Sequence, residues 1–285
     1  MRDGQYSTLR VAIGAGVAKV TIDNGPVNVL DVALMRDLRV FLEAVRDDAD
    51  VKVIVFDSAA PDFFIAHVDM TLIDAPDAFD ELAKAMPPDM NVFQYFGEIL
   101  RQQPQVTIVK LAGIARGGGA EFVAAVDMSF AAIGRAGLAQ CEALMGIVPG
   151  GGGTQFLSER VGRSRALEIV LGADLFDAQT AERYGWINRA LPADQIDDFV
   201  DRLANNLAQL PEGVIAAAKR ALPQPDLIAG LVREHEAWSS QFVLPAAAAL
   251  IRGGLTAGAQ TRSGELELEA LMRNVQRQQT ASASF

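Results

Sequence analysis

The chain has 285 residues, of which 50% are hydrophobic and 21% charged, proportions typical of a globular protein. Its 25 basic and 36 acidic residues give a net charge of −11 with neutral histidines. No block of consecutive lysine or arginine is present, which excludes the cationic surface that nucleic-acid binding requires.

The cysteine and histidine content excludes further kinds of site. One cysteine, Cys141, excludes an internal disulfide, and together with only two histidines it excludes a recognisable zinc cluster. Residues 1–10 carry no secretory signal and no apolar run is long enough to span a membrane. We therefore expect a cytoplasmic protein with no metal site and with neither nucleic acid nor membrane as a partner.

The first two thirds of the chain alternate strands with helices. β-branched and apolar segments predict strands over residues 17–23, 51–57, 106–112 and 128–133. Between the first two, apolar residues at helical spacing predict a helix with Asp31 as its N-cap: Leu34, Leu38, Leu42 and Val45. This alternation predicts an α/β layered architecture.

The last third has a different pattern. From Asp194 onward, helical segments follow one another and are separated by prolines and by Gly253–Gly254. We expect residues 1–193 to form the core with the functional site, and residues 194–285 to form a helical region. The acidic, proline-containing segment 74–88 predicts a mobile surface excursion, and the polar tail 276–285 predicts a frayed end.

Two glycine-bearing segments are not nucleotide sites. Residues 14–19 place lysine where a dinucleotide fingerprint needs its third glycine, and they precede a strand, so they predict a plain turn. Residues 150–153 are followed by Thr154 without the Gly-Lys-Ser/Thr of a phosphate-binding loop.

A third glycine segment, Gly117–Gly119, lies between a strand and an apolar helix. Backbone N–H groups at such a helix start can bind a phosphate or stabilise a developing oxyanion. The alternative is that the glycines only allow close packing. Glu121 follows in an otherwise apolar segment, where it is either an exposed first-turn residue or a functional acid.

Glu142 is a second carboxylate among apolar neighbours, 21 residues further along. That separation allows a helix, a strand and a return, so both glutamates can face one cavity. In a dry pocket their pKa values would be pushed apart, which provides one acid and one base.

These motifs together resemble the enoyl-CoA hydratase/isomerase (crotonase) superfamily. The resemblance extends from about Val17 to Ile187, and two segments carry most of it: Gly-Gly-Gly-Ala-Glu at 117–121, and Glu142 followed by Gly146 to Gln155. It implies a crotonase-like α/β fold, a spiral of ββα units with a helical C-terminal region that forms trimers and covers the pocket. The implied partners are an acyl-CoA substrate and further copies of the chain, in a homotrimer or a dimer of trimers.

The resemblance also implies site residues. Val68 and Gly118 would supply the two N–H groups of an oxyanion hole for the thioester oxygen. Glu121 would be the base and Glu142 the proton donor, positioning one water between them. Coenzyme A is part of the substrate, so no separate cofactor is expected. The implied substrate-binding residues are Val27, Ala66, His67, Asp69, Met70 and Thr71.

Some residues depart from the family pattern. The first oxyanion loop, often Ala-Gly-Ala-Asp, is Ala66-His67-Val68-Asp69 here, and Val68 is bulkier than alanine. His67 is either a packing residue or an accessory acid, base or CoA contact. We expect Cys141 to be a small buried thiol and not a nucleophile, because no histidine is near it in sequence. Candidate cations for the CoA phosphates are Arg116, Lys219, Arg220 and Arg252.

Retention of both glutamates favours hydration of a trans-2-enoyl-CoA to the 3-hydroxyacyl-CoA. Two alternatives stay open at this stage: isomerisation of a 3-enoyl-CoA or related thioester chemistry, and a non-catalytic oligomer that binds acyl-CoA.

Overall fold

A computed structural model describes residues 6–84 and 86–282. In chain order, the strands within these ranges are β1 Leu9–Gly14, β2 Val17–Ile22, β3 Val53–Ser58, β4 Phe63–Ile65, β5 Val106–Leu111, β6 Ile114–Arg116, β7 Met128–Ala132, β8 Gly137–Ala139, β9 Phe176–Asp177 and β10 Arg189–Leu191. The four predicted strands correspond to β2, β3, β5 and β7, so those predictions are confirmed.

Helices occupy most of the remaining described chain. They are α1 Val32–Arg46, α2 Asp80–Ala83, α3 Val92–Arg101, α4 Gly118–Ala125, α5 Gly153–Val161, α6 Arg163–Gly172, α7 Ala178–Tyr184, α8 Ile196–Ala208, α9 Val214–Ala221, α10 Ile228–Phe242, α11 Pro245–Ala257, α12 Arg262–Leu266 and α13 Leu268–Ser282. Two 3₁₀ segments cover Met70–Asp74 and Glu142–Met145. None of the described helices has the length and apolar character needed to cross a bilayer.

The strands form two sheets in the described chain. The six-stranded sheet has the order β1-β2-β3-β5-β7-β10, in which β1 pairs antiparallel with β2 and the other neighbours are parallel. The smaller sheet has the order β4-β6-β8-β9, with only its last pair antiparallel. The strands β3, β5 and β7 are each followed by a short strand of the second sheet and then by helical segments, which confirms the predicted crotonase-like α/β architecture.

Local signals account for several element boundaries. Asp31 caps α1, because its Oδ1 accepts the Leu34 N–H at 2.8 Å. The predicted plain turn joins β1 to β2 through Ala15 and Gly16, both at positive φ, with Gly14 opposite Val17. On the far face of the larger sheet, α8 buries Val200 and its neighbours against β3, β5 and β7.

One expectation from sequence is corrected, and another is confirmed in part. Helix α13 continues to Ser282 and does not fray from 276, because Met272 and Val275 are buried and Gln276 Nε2 donates to Leu144 O at 3.0 Å. Residues 283–285 lie outside the described range. The described part of segment 74–88 lies at the surface, as predicted, but it includes α2 and also contributes to a cavity wall: Phe79 packs edge-on against Phe93, with ring centroids 5.1 Å apart.

Candidate active site

A cavity of about 240 Å³ lies between the segments that follow β4, β6 and β8 of the smaller sheet and the C-terminal helices α10 and α11. Its wall combines carboxylates with mostly apolar and aromatic side chains. Most of the predicted site residues line it: Val68, Gly118, Glu121, Glu142, His67, Asp69 and Met70.

Gly117 makes the turn from β6 into α4. Its φ of +47° and ψ of −122° disfavour other residues, and a Cβ there would lie 2.7 Å from Glu142 Oε1. The next residue, Gly118, opens α4, whose first amides have no acceptor within the helix. Its N–H is therefore available to a ligand in the cavity.

Val68 provides the second predicted donor. Leu30 N donates to His67 O at 2.8 Å and Asp69 N donates to Leu30 O at 3.2 Å. Because successive N–H groups of an extended chain point to opposite sides, the Val68 N–H points away from Leu30. A Cβ added to Gly118 would lie 2.8 Å from Val68 Cγ2, so the two predicted donors belong to residues in direct contact.

Glu121 lies in the first turn of α4 and is 6% exposed. Its Oε1 accepts the Gly151 N–H at 2.9 Å and the Gly153 N–H at 3.0 Å. The amides of the glycine turn at residues 150–153 therefore bind a carboxylate of the same chain and do not form a phosphate-binding loop. The two amides fix Oε1, while Oε2 lies 3.9 Å from the position that a Cβ on Gly118 would occupy.

Glu234, from α10, holds the same turn and is also buried. Its Oε1 accepts the Gly152 N–H at 2.6 Å, and its Oε2 accepts Thr154 N at 2.8 Å and Thr154 Oγ1 at 2.5 Å. Four consecutive amides, from residue 151 to residue 154, thus alternate between Glu121 and Glu234. Gln94 Nε2 adds a further donor to Glu234 at 3.1 Å.

Glu142 lies at the start of a 3₁₀ segment and borders the cavity beside Gly117. Its Oε1 faces Gly117, as the 2.7 Å distance to an added Cβ shows. Its Oε2 is buried and has no hydrogen-bond partner among the residues described. Both glutamates therefore border one cavity, and only one of them is held by amides.

Burial raises the pKa of both glutamates. The pKa of Glu142 rises to about 7, because burial disfavours its charged form and Glu234 is nearby, although its own N–H and the charge of His67 oppose the shift. The pKa of Glu121 is raised well above its ordinary value by burial and by the charges of Glu142 and Glu234, against the two amide hydrogen bonds. Such a pair retains a proton near neutral pH.

His67 is buried and pairs with the C-terminal region. Its Nδ1 lies 2.7 Å from Val68 O and its Nε2 lies 2.9 Å from Glu265 Oε1. Because both partners are acceptors, both ring nitrogens donate and the ring is an imidazolium. The pairing with Glu265 and the Val68 carbonyl raises the pKa of His67, although burial alone would lower it. Glu265 also lies 3.6 Å from Arg116 Nη1, which extends the network.

Three predicted substrate contacts do not line the cavity. Val27 and Ala66 belong to a separate apolar cluster, where Ala66 N donates to Val27 O at 3.2 Å. Thr71 is exposed, and its N and Oγ1 donate to Asp69 Oδ1 at 2.9 and 2.8 Å. Hydrogen bonds within the chain occupy these polar groups, and burial removes the two apolar side chains from the wall, so substrate contact by these three residues stays a prediction.

The candidate cations are mostly occupied. Arg116 is fully buried, and its Nε and Nη2 donate to Glu269 at 2.6 and 2.9 Å, so it cannot reach a CoA phosphate. Lys219 Nζ donates to Gln103 O, Gln105 O and Asp127 Oδ2 at 2.7–2.8 Å. Arg252 is exposed and pairs with Asp74 beside the cavity, and Arg220 is exposed on α9.

Cys141 is buried at the cavity wall. Burial and the charge of Glu142 raise the pKa of its thiol well above the ordinary value, so it is a protonated packing group, as predicted. Within residues 6–84 and 86–282, no three His, Cys, Asp or Glu side chains are arranged to hold a metal ion.

Sequence reasoning missed Glu234 and several aromatic wall residues. Glu234 stands among other charged residues of a helix and reads as part of a solvated face, so no local signal identifies it. Trp238 and Phe242 are four residues apart on the same helix, which predicts a shared face but not what that face borders.

The family model described as enoyl-CoA hydratase/isomerase matches residues 12–264. The chain belongs to the enoyl-CoA hydratase/isomerase family. This confirms the resemblance seen in the Gly-Gly-Gly-Ala-Glu turn and in the segment after Glu142.

Relatives of this family resemble the chain over most of its length. Methylglutaconyl-CoA hydratase of Mus musculus is 32% identical over 74% of this chain and 68% of its own. The 2,3-dehydroadipyl-CoA hydratase of Escherichia coli is 32% identical over 84% of this chain and 90% of its own. A crystal structure of a candidate enoyl-CoA hydratase from Streptomyces avermitilis is 64% identical over 95% and 99%, with a TM-score of 0.94.

Proposed function

We propose that this protein hydrates a trans-2-enoyl-CoA thioester to the 3-hydroxyacyl-CoA. The observation that supports this best is that Glu121 and Glu142, carried by different elements, border one cavity beside Val68 and Gly118. The similarity to proteins named as hydratases also supports it. Coenzyme A enters as part of the substrate, and the proposal needs no separate cofactor.

In this mechanism the thioester oxygen is bound by the N–H groups of Val68 and Gly118. These donors stabilise the enolate-like charge that develops as water adds. Glu121, whose Oε1 is fixed by two amides, orients the water and takes one of its protons while the water oxygen bonds to the β-carbon. Glu142, which has an unsolvated oxygen and a pKa of about 7, gives its proton to the α-carbon. Proton exchange with solvent then resets the pair.

Hydration requires both carboxyl groups, whereas isomerisation of a 3-enoyl-CoA can use one group as a proton shuttle. The Glu121→Gln and Glu142→Gln variants should each lower kcat by about 10²–10⁴-fold, because each removes one proton-transfer group. Loss of conjugated enoyl-thioester absorbance measures the reaction, and the exposed Glu236→Gln is the control. Strong loss in only one variant would favour the isomerase, and binding of enoyl-CoA by a wild type without turnover would favour the non-catalytic alternative.

A further inference from the structure

The cavity wall beyond the glutamates is apolar and aromatic. Phe79 and Phe93 meet edge-on at 5.1 Å on one side, and Trp238 stacks on Phe242 at 4.6 Å on another. The intervening wall consists of apolar side chains from the 3₁₀ segments, from the loop after the second of them and from α11: Leu72, Ile73, Met145, Ile147 and Ile251.

Apart from His67, the ionisable groups of this wall are carboxyl groups, with one thiol at Cys141. Its carboxylates are Asp69, Glu121 and Glu142, and no lysine or arginine of the described chain lines it. His67 is the one lining residue here that carries a positive charge, and Glu265 occupies its Nε2. Arg252, next to the lining residue Ile251, is exposed and bonded to Asp74 at 2.6 Å.

The charge and polarity of the wall determine which acyl groups the cavity can accommodate. A second carboxylate on the acyl group would lose its water without gaining a cationic partner, and it would meet the field of Glu121 and Glu142. A hydrocarbon chain would instead be desolvated against aromatic and aliphatic side chains. On the basis of the proposed function, we infer that the protein acts on enoyl-CoA esters whose acyl group is an uncharged hydrocarbon, and that it discriminates against acyl groups with a terminal carboxylate.

A matched pair of substrates tests this inference. We expect kcat/KM for trans-2-hexenoyl-CoA to exceed by at least a hundredfold that for the six-carbon enoyl-CoA that ends in a carboxylate. Placing a cation in the wall with Ile73→Lys should reduce this ratio at least tenfold, whereas the uncharged Ile73→Gln should not. A wild-type ratio near one, or a preference for the carboxylated ester, would overturn the inference.

Binding separates this inference from the proposed reaction. Calorimetric titration with hexanoyl-CoA and with its terminally carboxylated counterpart measures acyl preference without turnover. Tighter binding of hexanoyl-CoA would support the substrate class even if neither enoyl ester were hydrated, a result that would contradict only the hydratase proposal. Equal binding combined with turnover of both enoyl esters would contradict only the substrate class.

A second inference rests on the alternating amides of residues 151–154. Glu121 takes two of them and Glu234 takes the other two, so neither carboxylate can move without displacing the turn that holds its neighbour. Glu234 does not line the cavity. We propose that Glu234 is a positioning residue, which aims Glu121 through the shared turn.

Substitution by glutamine separates positioning from simple structural support. Glu234→Gln replaces one acceptor oxygen by an NH₂ group that faces donors, so the turn should lose its register and kcat should fall at least tenfold with KM changed less than threefold. The variant also removes a negative charge that raises the pKa of Glu142, so the alkaline limb of kcat should move from about pH 7 to lower pH.

The matched control is Glu236→Gln, an exposed position two residues away on the same helix. It should leave both kcat and the pH profile of the wild type unchanged. A Glu234→Gln enzyme that unfolds at lower temperature but keeps the wild-type kcat and alkaline limb would show that Glu234 only supports the fold.

Discussion

Three carboxylates of the site, Glu121, Glu142 and Glu234, differ in how their charge is stabilised. Glu121 and Glu234 share four consecutive backbone amides, whereas Glu142 Oε2 has no donor among the described residues. A carboxylate without donors is more stable when protonated in a dry setting. The amide hydrogen bonds favour the negative charge on Glu121, whereas burial raises the pKa of both Glu121 and Glu142, so the pair shares a proton near neutral pH.

Protonation of Glu142 has a consequence for stability. Its folded-state pKa of about 7 lies above the unfolded value near 4.5, so no cost arises below pH 4.5, where both states are protonated. As pH rises from about 4.5 to 7 the unfolded chain ionises first, and stability falls by on the order of 3 kcal/mol before it levels off. Glu142→Gln cannot ionise, so it should unfold at a higher temperature than the wild type at pH 8, with little difference at pH 4.5.

Thermal unfolding at several pH values measures this, with Glu236→Gln as the exposed control. A stabilisation by Glu142→Gln that is the same at pH 4.5 and pH 8 would show that ionisation is not its cause.

Sequence alone predicts that Glu121 and Glu142 can face one cavity, and both line it, because a carboxylate in an apolar segment beside a glycine turn is a local signal. The partners of those residues are not local. The amides that hold Glu121 follow it by 30 and 32 residues, and His67 and Glu265 are 198 residues apart. Their pairing depends on how elements pack, which no short segment encodes.

At the scale of elements, the C-terminal helices hold the loop that carries Val68. Gln260 Oε1 accepts the Met70 N–H at 2.7 Å, and its Nε2 donates to Asp69 Oδ1 at 2.9 Å. Glu265 of α12 pairs with His67 in the same loop. The loop with the proposed oxyanion donor is therefore attached on both sides of Val68 to the C-terminal region.

The His67–Glu265 pair should be strongly coupled because both side chains are almost fully buried. Replacing either partner leaves an uncompensated charge, so His67→Gln and Glu265→Gln should each lower the free energy of unfolding by about 3 kcal/mol. The double variant removes both charges and should lose clearly less than the sum.

Urea unfolding of the four proteins in this cycle measures the coupling. The exposed pair Lys19–Asp201, at 2.7 Å, is the control cycle and should couple by less than about 1 kcal/mol. Additive losses at His67 and Glu265 would contradict a charged pair.

Strand length and burial together decided which strands the sequence revealed, since β1 has six residues but is largely exposed and was not predicted. β2, β3, β5 and β7 have five or six residues with clear apolar patterns, whereas β4, β6 and β8 have only three. Those short strands carry the two oxyanion segments and the approach to Glu142. The motif identified these segments, while their pairing into a second sheet follows from packing.

At the scale of the whole molecule, the cavity is completed by the two parts of the chain that sequence analysis separated. Residues before 194 supply the glutamates and the glycine turns, and Trp238, Phe242 and Ile251 of the C-terminal helices close the wall. The family resemblance predicted the fold, and it predicted that the helical C-terminal region covers the pocket. The residues that form the far wall depend on the angle at which α10 and α11 pack. The homotrimer or dimer of trimers stays a prediction.

The contact at Gly119 has a consequence for the whole site. A Cβ there would lie 2.2 Å from the carbonyl oxygen of Ile65, so the start of α4 rests directly on β4 with no side chain between them. The segments that carry the Gly118 and Val68 amides are thus locked together by main-chain contact. Donor spacing is set when the protein folds, and little reorganisation free energy is needed when negative charge arrives. Even a single methyl group at position 119 would push the start of α4 away from β4 and change the distance between the two amides.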